Sequence, residues 1–378
     1  MKFFQFEEKK ERIFGLDIIR FFAILFVLIG HSENLLPEKL KIYNTYFYTD
    51  GVNIFFVLSG FLIGKNLIEN IKNNQFNFKF ISNFYVKRWA KTIPSYFLIL
   101  SVLLSLNLIF NEHFKFDQKY NYFIFLQNFN TVHPSFFPEA WSLSIEEWFY
   151  LLIPIIFFIS LKISSKFQNN RIILYSLIAI ITVFTFYRIY RLDHLHILNY
   201  MEWDRFFRKQ VITRFDSIVY GVIAAYIYKH HYSLWISNKK TFFFIGIFTI
   251  ILAKILSLFF VSEIGFYNCV FSFTLLALGT AFTLPYLNNF QTNRNLIYKI
   301  ITYVSITSYS MYLVNLSIIK SWIINKINWE DIFSNYYMLI SLRYLLFWLL
   351  VILFSYILYN FVEFPLNKII KKRFNVRK

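Results

Sequence analysis

Cysteine occurs once in this chain, at Cys269, inside an apolar run. That excludes a disulfide framework, a cysteine-ligated zinc cluster and a haem thiolate set. Acidic residues are also scarce, 21 against 39 Lys and Arg, which leaves a net charge of +18. In a soluble protein such an excess suggests nucleic acid. Here the bases sit mostly at the ends of apolar runs, where cytoplasmic loops collect Lys and Arg, so no nucleic-acid partner is expected. The sequence has no Gly-rich phosphate loop, no internal repeat and no Pro- or Ser-rich linker. The charged start MKFFQFEEKKER is not followed by a small-residue cleavage site, so the first apolar run reads as a retained span.

What the chain has is apolar length. Of 378 residues, 57% are hydrophobic, more than soluble domains usually carry. They come in blocks of about 20 with few charges, the pattern of membrane-spanning helices. The expected spans are 14–33, 50–68, 94–111, 144–161, 171–190, 213–232, 239–260, 266–287, 304–324 and 337–361. The expected fold is an all-α integral membrane protein, a bundle of about ten transmembrane helices in a lipid bilayer. One domain fills residues 1–378: an N-terminal segment 1–12, a bundle 13–363 and a basic tail 364–378. An even number of spans puts both termini on one side. Lys368, Lys371, Lys372, Arg373, Arg377 and Lys378 in the tail place that side in the cytoplasm. Lys72, Lys79, Lys87, Arg88 and Lys91 agree, as do Lys162, Lys166 and Arg171. The expected location is the cytoplasmic (inner) membrane. Nothing in the sequence sets an oligomeric state.

Ionisable groups inside a span are costly, so each is a functional candidate. In GLDIIRFFAILFVLIGH, Arg20 and His31 are 11 residues apart, about three turns, and share a helix face roughly 16 Å apart. Asp17 lies one turn before Arg20 on that face. His31 is the natural general base near neutral pH. The plain alternative is a snorkelling Arg and an interfacial His. In WSLSIEEWFYLLIPI, Ser144 and Glu147 fit a capping box at the start of span four. Glu146, rotated about 100° from Glu147, has no capping role and is the surplus carboxylate, placed to hold the His31 imidazole. Trp141 is a substrate contact or a belt aromatic. Span two carries Asn53 and Ser59-Gly60, small residues that allow close approach of a helix or a ligand. Pro94 stands near the first turn of span three. Just before it, Lys87, Arg88 and Lys91 are topology signals or bind a phosphorylated donor. Arg214 and Asp216 open span six as a candidate inward ion pair. Glu363 is unusually acidic for the end of span ten. His194 and His196 lack a clear third ligand, so no metal site is expected. Tyr200, Trp203, Phe206 and Phe207 stack on sugar rings or anchor an interface.

Together these stretches resemble the membrane acyltransferase family 3. GLDIIRFFAILFVLIGH resembles the family's Leu-Asp-x-x-Arg start with a later His, and AWSLSIEEWFYL its Trp-Ser-Leu-Ser-x-Glu signature. GVNIFFVLSGFLI, KRWAKTIP, RFDSIVYG, SYSMYLVN and FVEFP follow in the family's order. The resemblance implies transfer of an acyl group, often acetyl from acetyl-CoA, to a hydroxyl of a carbohydrate or glycolipid acceptor. Acyl-CoA is then a donor substrate, and no cofactor is bound permanently. Carried over residue by residue, Arg20, His31 and Glu146 are the catalytic candidates. Arg20, Arg88, Lys91 and Ser59 are the donor-binding ones. Trp141, Asp17, Arg214 and Asp216 are the candidates for contacting substrate. Lys91 stands where the family often has Arg, Asn53 where Asp is frequent and Asn315 where His is frequent, so Asn315 takes no role here. No appended SGNH-type esterase domain is recognised. The competing reading is a transporter of polysaccharide or lipid-linked sugar.

Overall fold

A computed structural model describes residues 12–373 except 74, 118, 168–170, 262–263 and 333–334. Residues 1–11 of the expected N-terminal segment and 374–378 of the tail, Arg377 and Lys378 included, lie outside the described residues. So do the side chains of Lys166, Lys371, Lys372 and Arg373. Among the described residues there is no strand. The helices are α1 (Phe14–Ser32), α2 (Glu38–Phe47), α3 (Gly51–Lys72), α4 (Phe78–Phe110), α5 (Ala140–Phe167) and α6 (Ile172–His194). The short α7 (Tyr200–Trp203) and α8 (Val211–Arg214) precede α9 (Asp216–His230), α10 (Tyr232–Ser237), α11 (Lys239–Phe259) and α12 (Ser272–Leu287). Last come α13 (Leu296–Val314), α14 (Trp329–Ile332), α15 (Tyr336–Leu358) and α16 (Phe364–Arg373).

Nine helical stretches among the described residues are long and apolar enough to cross a membrane. The chain is a multi-pass integral membrane protein. The tenth expected run, 304–324, is helical too, but it is rich in buried Ser and Thr and widens into a π-helix at Asn315–Ile323. We call the side on which α1 begins proximal and the side on which it ends distal.

Two helices start earlier than the sequence suggests. α4 runs unbroken through Pro94 for 33 residues, about 50 Å against a hydrocarbon core of roughly 30 Å. Arg88 and Lys91 therefore ride on the spanning helix itself rather than on a loop before it. α5 begins at Ala140, so Ser144 is already one turn inside and its hydroxyl bonds back to the Ala140 carbonyl at 3.2 Å.

The bundle's tightest seam joins α3 and α9. A Cβ on Gly60 would stand 2.0 Å from the Ile218 carbonyl oxygen, and one on Gly221 would stand 1.9 Å from that of Val57. Only glycine lets the two backbones touch. This seam fixes the first turns of α3, whose residues wall both cavities described below.

Candidate active site

A cavity of about 110 Å³ lies within the bundle, between α1, α3, α4, α5 and α13. Arg20, Ser59, Arg88, Lys91, Glu146 and Tyr312 are among its lining residues. Arg88 is its hub. The guanidinium stacks on the Tyr150 ring, 3.9 Å from its centroid, and donates to the Tyr150 hydroxyl and, at 3.3 Å, to Ser59 Oγ. Its Nη2 is 3.6 Å from Glu146 Oε2, and the Tyr150 hydroxyl donates to that same oxygen. Three cations thus face one carboxylate, and the cavity favours an anionic or strongly polarised guest.

His31 is in the last turn of α1 and does not line this cavity. Its Nδ1 lies 2.6 Å from Asn315 Oδ1. The Asn315 amide can be oriented from its own bonds, because Nδ2 donates to the carbonyls of Met311 at 3.0 Å and Tyr312 at 2.7 Å. The atom facing the imidazole is therefore an oxygen, which only accepts. Nδ1 must carry the hydrogen, and Nε2 keeps its lone pair. The same turn of α1 is tied a second time, by Lys320 Nζ donating to the His31 carbonyl at 2.5 Å.

The π-helix places Asn315. A π turn frees backbone amides that an α-helix would pair, and such turns recur at functional sites. Here the buried Glu139 collects them. Its Oε1 accepts from Leu316 N at 3.1 Å and Ser317 N at 2.7 Å, and its Oε2 accepts from the Ser317 hydroxyl. Burial pushes the Glu139 carboxyl up to about 7, against the pull of those hydrogen bonds. The Glu139 carbonyl in turn accepts from the Tyr312 hydroxyl at 2.9 Å, and Tyr312 pairs with Ser142 at 2.7 Å. Ser142 and Tyr312 line the cavity. A bonded path thus runs from the cavity wall through Glu139 and the π-helix to His31.

Five expectations are corrected by this geometry. Glu146 does not hold His31: its partners are Tyr150 and Arg88, and the imidazole is held by Asn315. Glu147 does not cap α5. Its carboxylate accepts from Trp89 Nε1 at 3.1 Å and Thr92 Oγ1 at 2.9 Å, which ties α5 to α4. Arg214 and Asp216 do not pair with each other. Asp216 takes two bonds from the buried Arg188, at 2.7 and 2.8 Å, while Arg214 faces Asp50 at 3.7 Å. Asp17 is enclosed by Arg12, Arg20 and Ser305 at 2.5, 3.5 and 2.7 Å, away from the cavity lining. Trp141 is buried in the core, T-shaped against Phe56 and beneath Arg208 at 5.0 Å, not at a lipid interface.

Comparison with known proteins decides the family. The profile of the acyltransferase 3 domain, an acyltransferase domain, matches residues 13–360. The chain belongs to that family. Among its relatives, O-acetyltransferase OatA of Staphylococcus aureus is 31% identical over 157 residues, 38% of this chain and 24% of that protein. Peptidoglycan O-acetyltransferase OatA of Listeria monocytogenes is 29% identical over 126 residues, 30% of this chain and 20% of that protein. An uncharacterized protein of Haemophilus influenzae is 29% identical over 136 residues, 32% of this chain and 53% of that protein. The chain thus spans about a quarter of the length of the OatA proteins it matches. No solved structure matches.

Within this acyltransferase-family chain, the cavity unites Arg20, Arg88, Lys91, Ser59 and Glu146, all named by their sequence motifs. Sequence reasoning missed Asn315 and Glu139. Asn315 closes the SYSMYLVN motif but is not the residue usual there. Glu139 stands two residues before Trp141 of the signature, and a carboxylate at the head of an apolar run was the signal that could have found it.

Proposed function

We propose that this protein transfers an acyl group, acetyl above all, from acyl-CoA to a hydroxyl of a carbohydrate or glycolipid. We place it in the cytoplasmic membrane, with both termini and the proximal face in the cytoplasm. The observation that carries the reading is the pair His31–Asn315, which sets one imidazole tautomer and leaves the Nε2 lone pair to accept a proton. The names of the OatA relatives and the cationic cavity support it.

The cavity is narrow, so the donor's nucleotide stays at the proximal face and its slender pantetheine arm enters. Arg88 and Arg20 polarise the thioester carbonyl, as preorganised donors do. The acceptor oxygen attacks that carbonyl, forming the ester C–O bond and breaking C–S. Its proton passes to His31 Nε2 and then to the departing thiolate. General-base help of this kind contributes about 10²–10⁴-fold. Asn315, which holds His31, stands one turn beyond Tyr312 of the cavity wall, so on this reading the thioester approaches the imidazole past the Ser142–Tyr312 contact.

The test is acceptor-dependent release of free CoA from acetyl-CoA by membranes holding the protein. A carrier would leave acetyl-CoA intact at every acceptor concentration, and that result refutes the reading.

A further inference from the structure

A second cavity, about 350 Å³, opens between the distal end of α1, the start of α3, α7 with its π-helical extension Asp204–Arg208, α11 and α12. None of the catalytic candidates lines it. Its size lies at the small end of the range for ligand pockets.

Its charges cancel. Glu33 and Asp50 face Arg208 and Lys254. Both acids are already engaged. Glu33 accepts from Thr45 at 2.7 Å and Tyr48 at 2.9 Å. Asp50 caps α3 through Val52 N and Asn53 N and pairs with Arg208 at 3.4 Å. Arg208 is committed to Asp204 as well, at 2.8 Å. With two acids against two bases, the lining carries no net charge to attract an anion.

Two buried polar atoms of its lining residues have no partner, Asn53 Oδ1 and Asn268 Oδ1. Asn53 is 1% exposed, and its Nδ2 donates to the Phe273 carbonyl at 3.1 Å. That bond fixes the amide's orientation, so the atom left bare is the oxygen Oδ1, which has no hydrogen-bond partner. A buried acceptor without a donor is costly, by more than a typical net hydrogen bond. It calls for a hydroxyl or amide N–H from a guest and repels a phosphate or carboxylate.

Part of the lining is aromatic: Tyr48, Tyr200 and Trp203 contribute to it. Trp203 is held in place, stacked on Phe273 with an interplanar angle of 7° and donating to the Asn268 carbonyl at 2.8 Å. A pyranose ring has C–H faces that suit such rings and an edge of hydroxyls that suits Asn53.

We propose that this distal cavity is the acceptor subsite, and that it selects an uncharged, hydroxyl-rich sugar ring over its acidic or phosphorylated counterparts, with Asn53 Oδ1 taking a ring hydroxyl. The proposal rests on the acyl-transfer reading only for the word acceptor; the sugar selectivity stands on the cavity alone. Glu33 is two residues past His31 on the same chain, so a ring held here lies at the imidazole's end of α1.

The test uses equilibrium dialysis on the full-length protein in detergent, without acyl-CoA. The probes are tritiated methyl glycosides of glucose, galactose, mannose and N-acetylglucosamine, with methyl glucuronide as the acidic counterpart. The expected result is saturable binding of at least one neutral glycoside, preferred over the glucuronide by about tenfold or more, the scale of one uncompensated charge nearby. Asn53→Leu and Trp203→Leu each weaken that binding by about tenfold; Glu146→Gln, in the other cavity, leaves it within twofold. Glu33→Gln, which makes the cavity net positive, narrows the preference over the glucuronide. The two leucine variants are checked against wild-type thermal stability, and Glu33→Gln reads a gain that misfolding cannot imitate. The proposal is overturned if no neutral glycoside binds, if the glucuronide binds as well as the neutral probe, or if both leucine variants bind as the wild type does. Failure of CoA release with sugar binding intact removes the transfer reading and leaves this one standing.

Discussion

Replacing Asn315 with leucine removes the oxygen that holds the His31 ring while keeping nearly the same volume. The loss can be sized. His31 Nδ1–H loses its partner at 2.6 Å, and a buried donor left unsatisfied costs about 1–3 kcal/mol. At roughly 1.4 kcal/mol per tenfold in rate, that corresponds to a fall of about 5–150-fold. The loss should appear in kcat rather than KM. The bond strengthens as the imidazole gains a proton, since a charged donor makes a bond about twice as strong as a neutral one. An interaction stronger in the transition state than in the ground state acts on kcat. Asn315→Asp keeps an acceptor at the same place and should retain most of the rate. The assay is CoA release from acetyl-CoA by membranes with saturating acceptor, normalised to protein level. A kcat within twofold of wild type for Asn315→Leu refutes the assignment of Asn315 as the orienting partner. A loss equal in Asn315→Asp and Asn315→Leu refutes the reasoning from the acceptor oxygen.

Further predictions concern the cavity at Arg88, the π-helix and the seam. Arg88→Ala removes the cation stacked on Tyr150 and facing Glu146. The KM for acyl-CoA should rise by about tenfold or more, and Arg88→Lys should not restore it, because an ammonium lacks the planar fork. Steady-state kinetics in both variants check this. Glu139 has a carboxyl raised from 4.5 to about 7 in the folded protein. The folded state then holds a proton that the unfolded chain gives up, so its contribution to stability is full below about pH 4.5 and is lost as pH rises through about 7. Glu139→Gln cannot titrate, and its thermal midpoint should lack that part of the pH slope. Gly221→Val sets a methyl group into the Val57 carbonyl and should destabilise by about 3 kcal/mol or more, read as a lower thermal midpoint with loss of both cavities' ligands together.

How far the site could be read from the sequence follows from what each inference needed. The Arg20–His31 spacing was legible because one helix fixes it; α1 spans both residues, Arg20 lining the cavity and His31 bonding to Asn315. Arg88, Lys91, Ser59 and Glu146 were legible as motif positions, and the cavity collects them. The partner of His31 was not legible. It depends on α13 packing beside α1 and on the π turn at Asn315, which changes the register of everything after it. The pairing of Arg214 with Asp216 failed for a simpler reason: residues two apart on a helix point to opposite sides, so each found a partner on a different element. The cap assigned to Glu147 failed because α5 begins at Ala140, four residues before Ser144. At that depth, Glu147 meets Trp89 and Thr92 instead.

The most direct test separates donor binding from chemistry at His31. In purified protein carrying His31→Gln, labelled acetyl-CoA should bind within twofold of wild type, because His31 does not line the cavity proposed for the donor, while acetyl transfer to the acceptor should fall by about 10²-fold or more. Transfer at the wild-type rate in that variant would contradict the account.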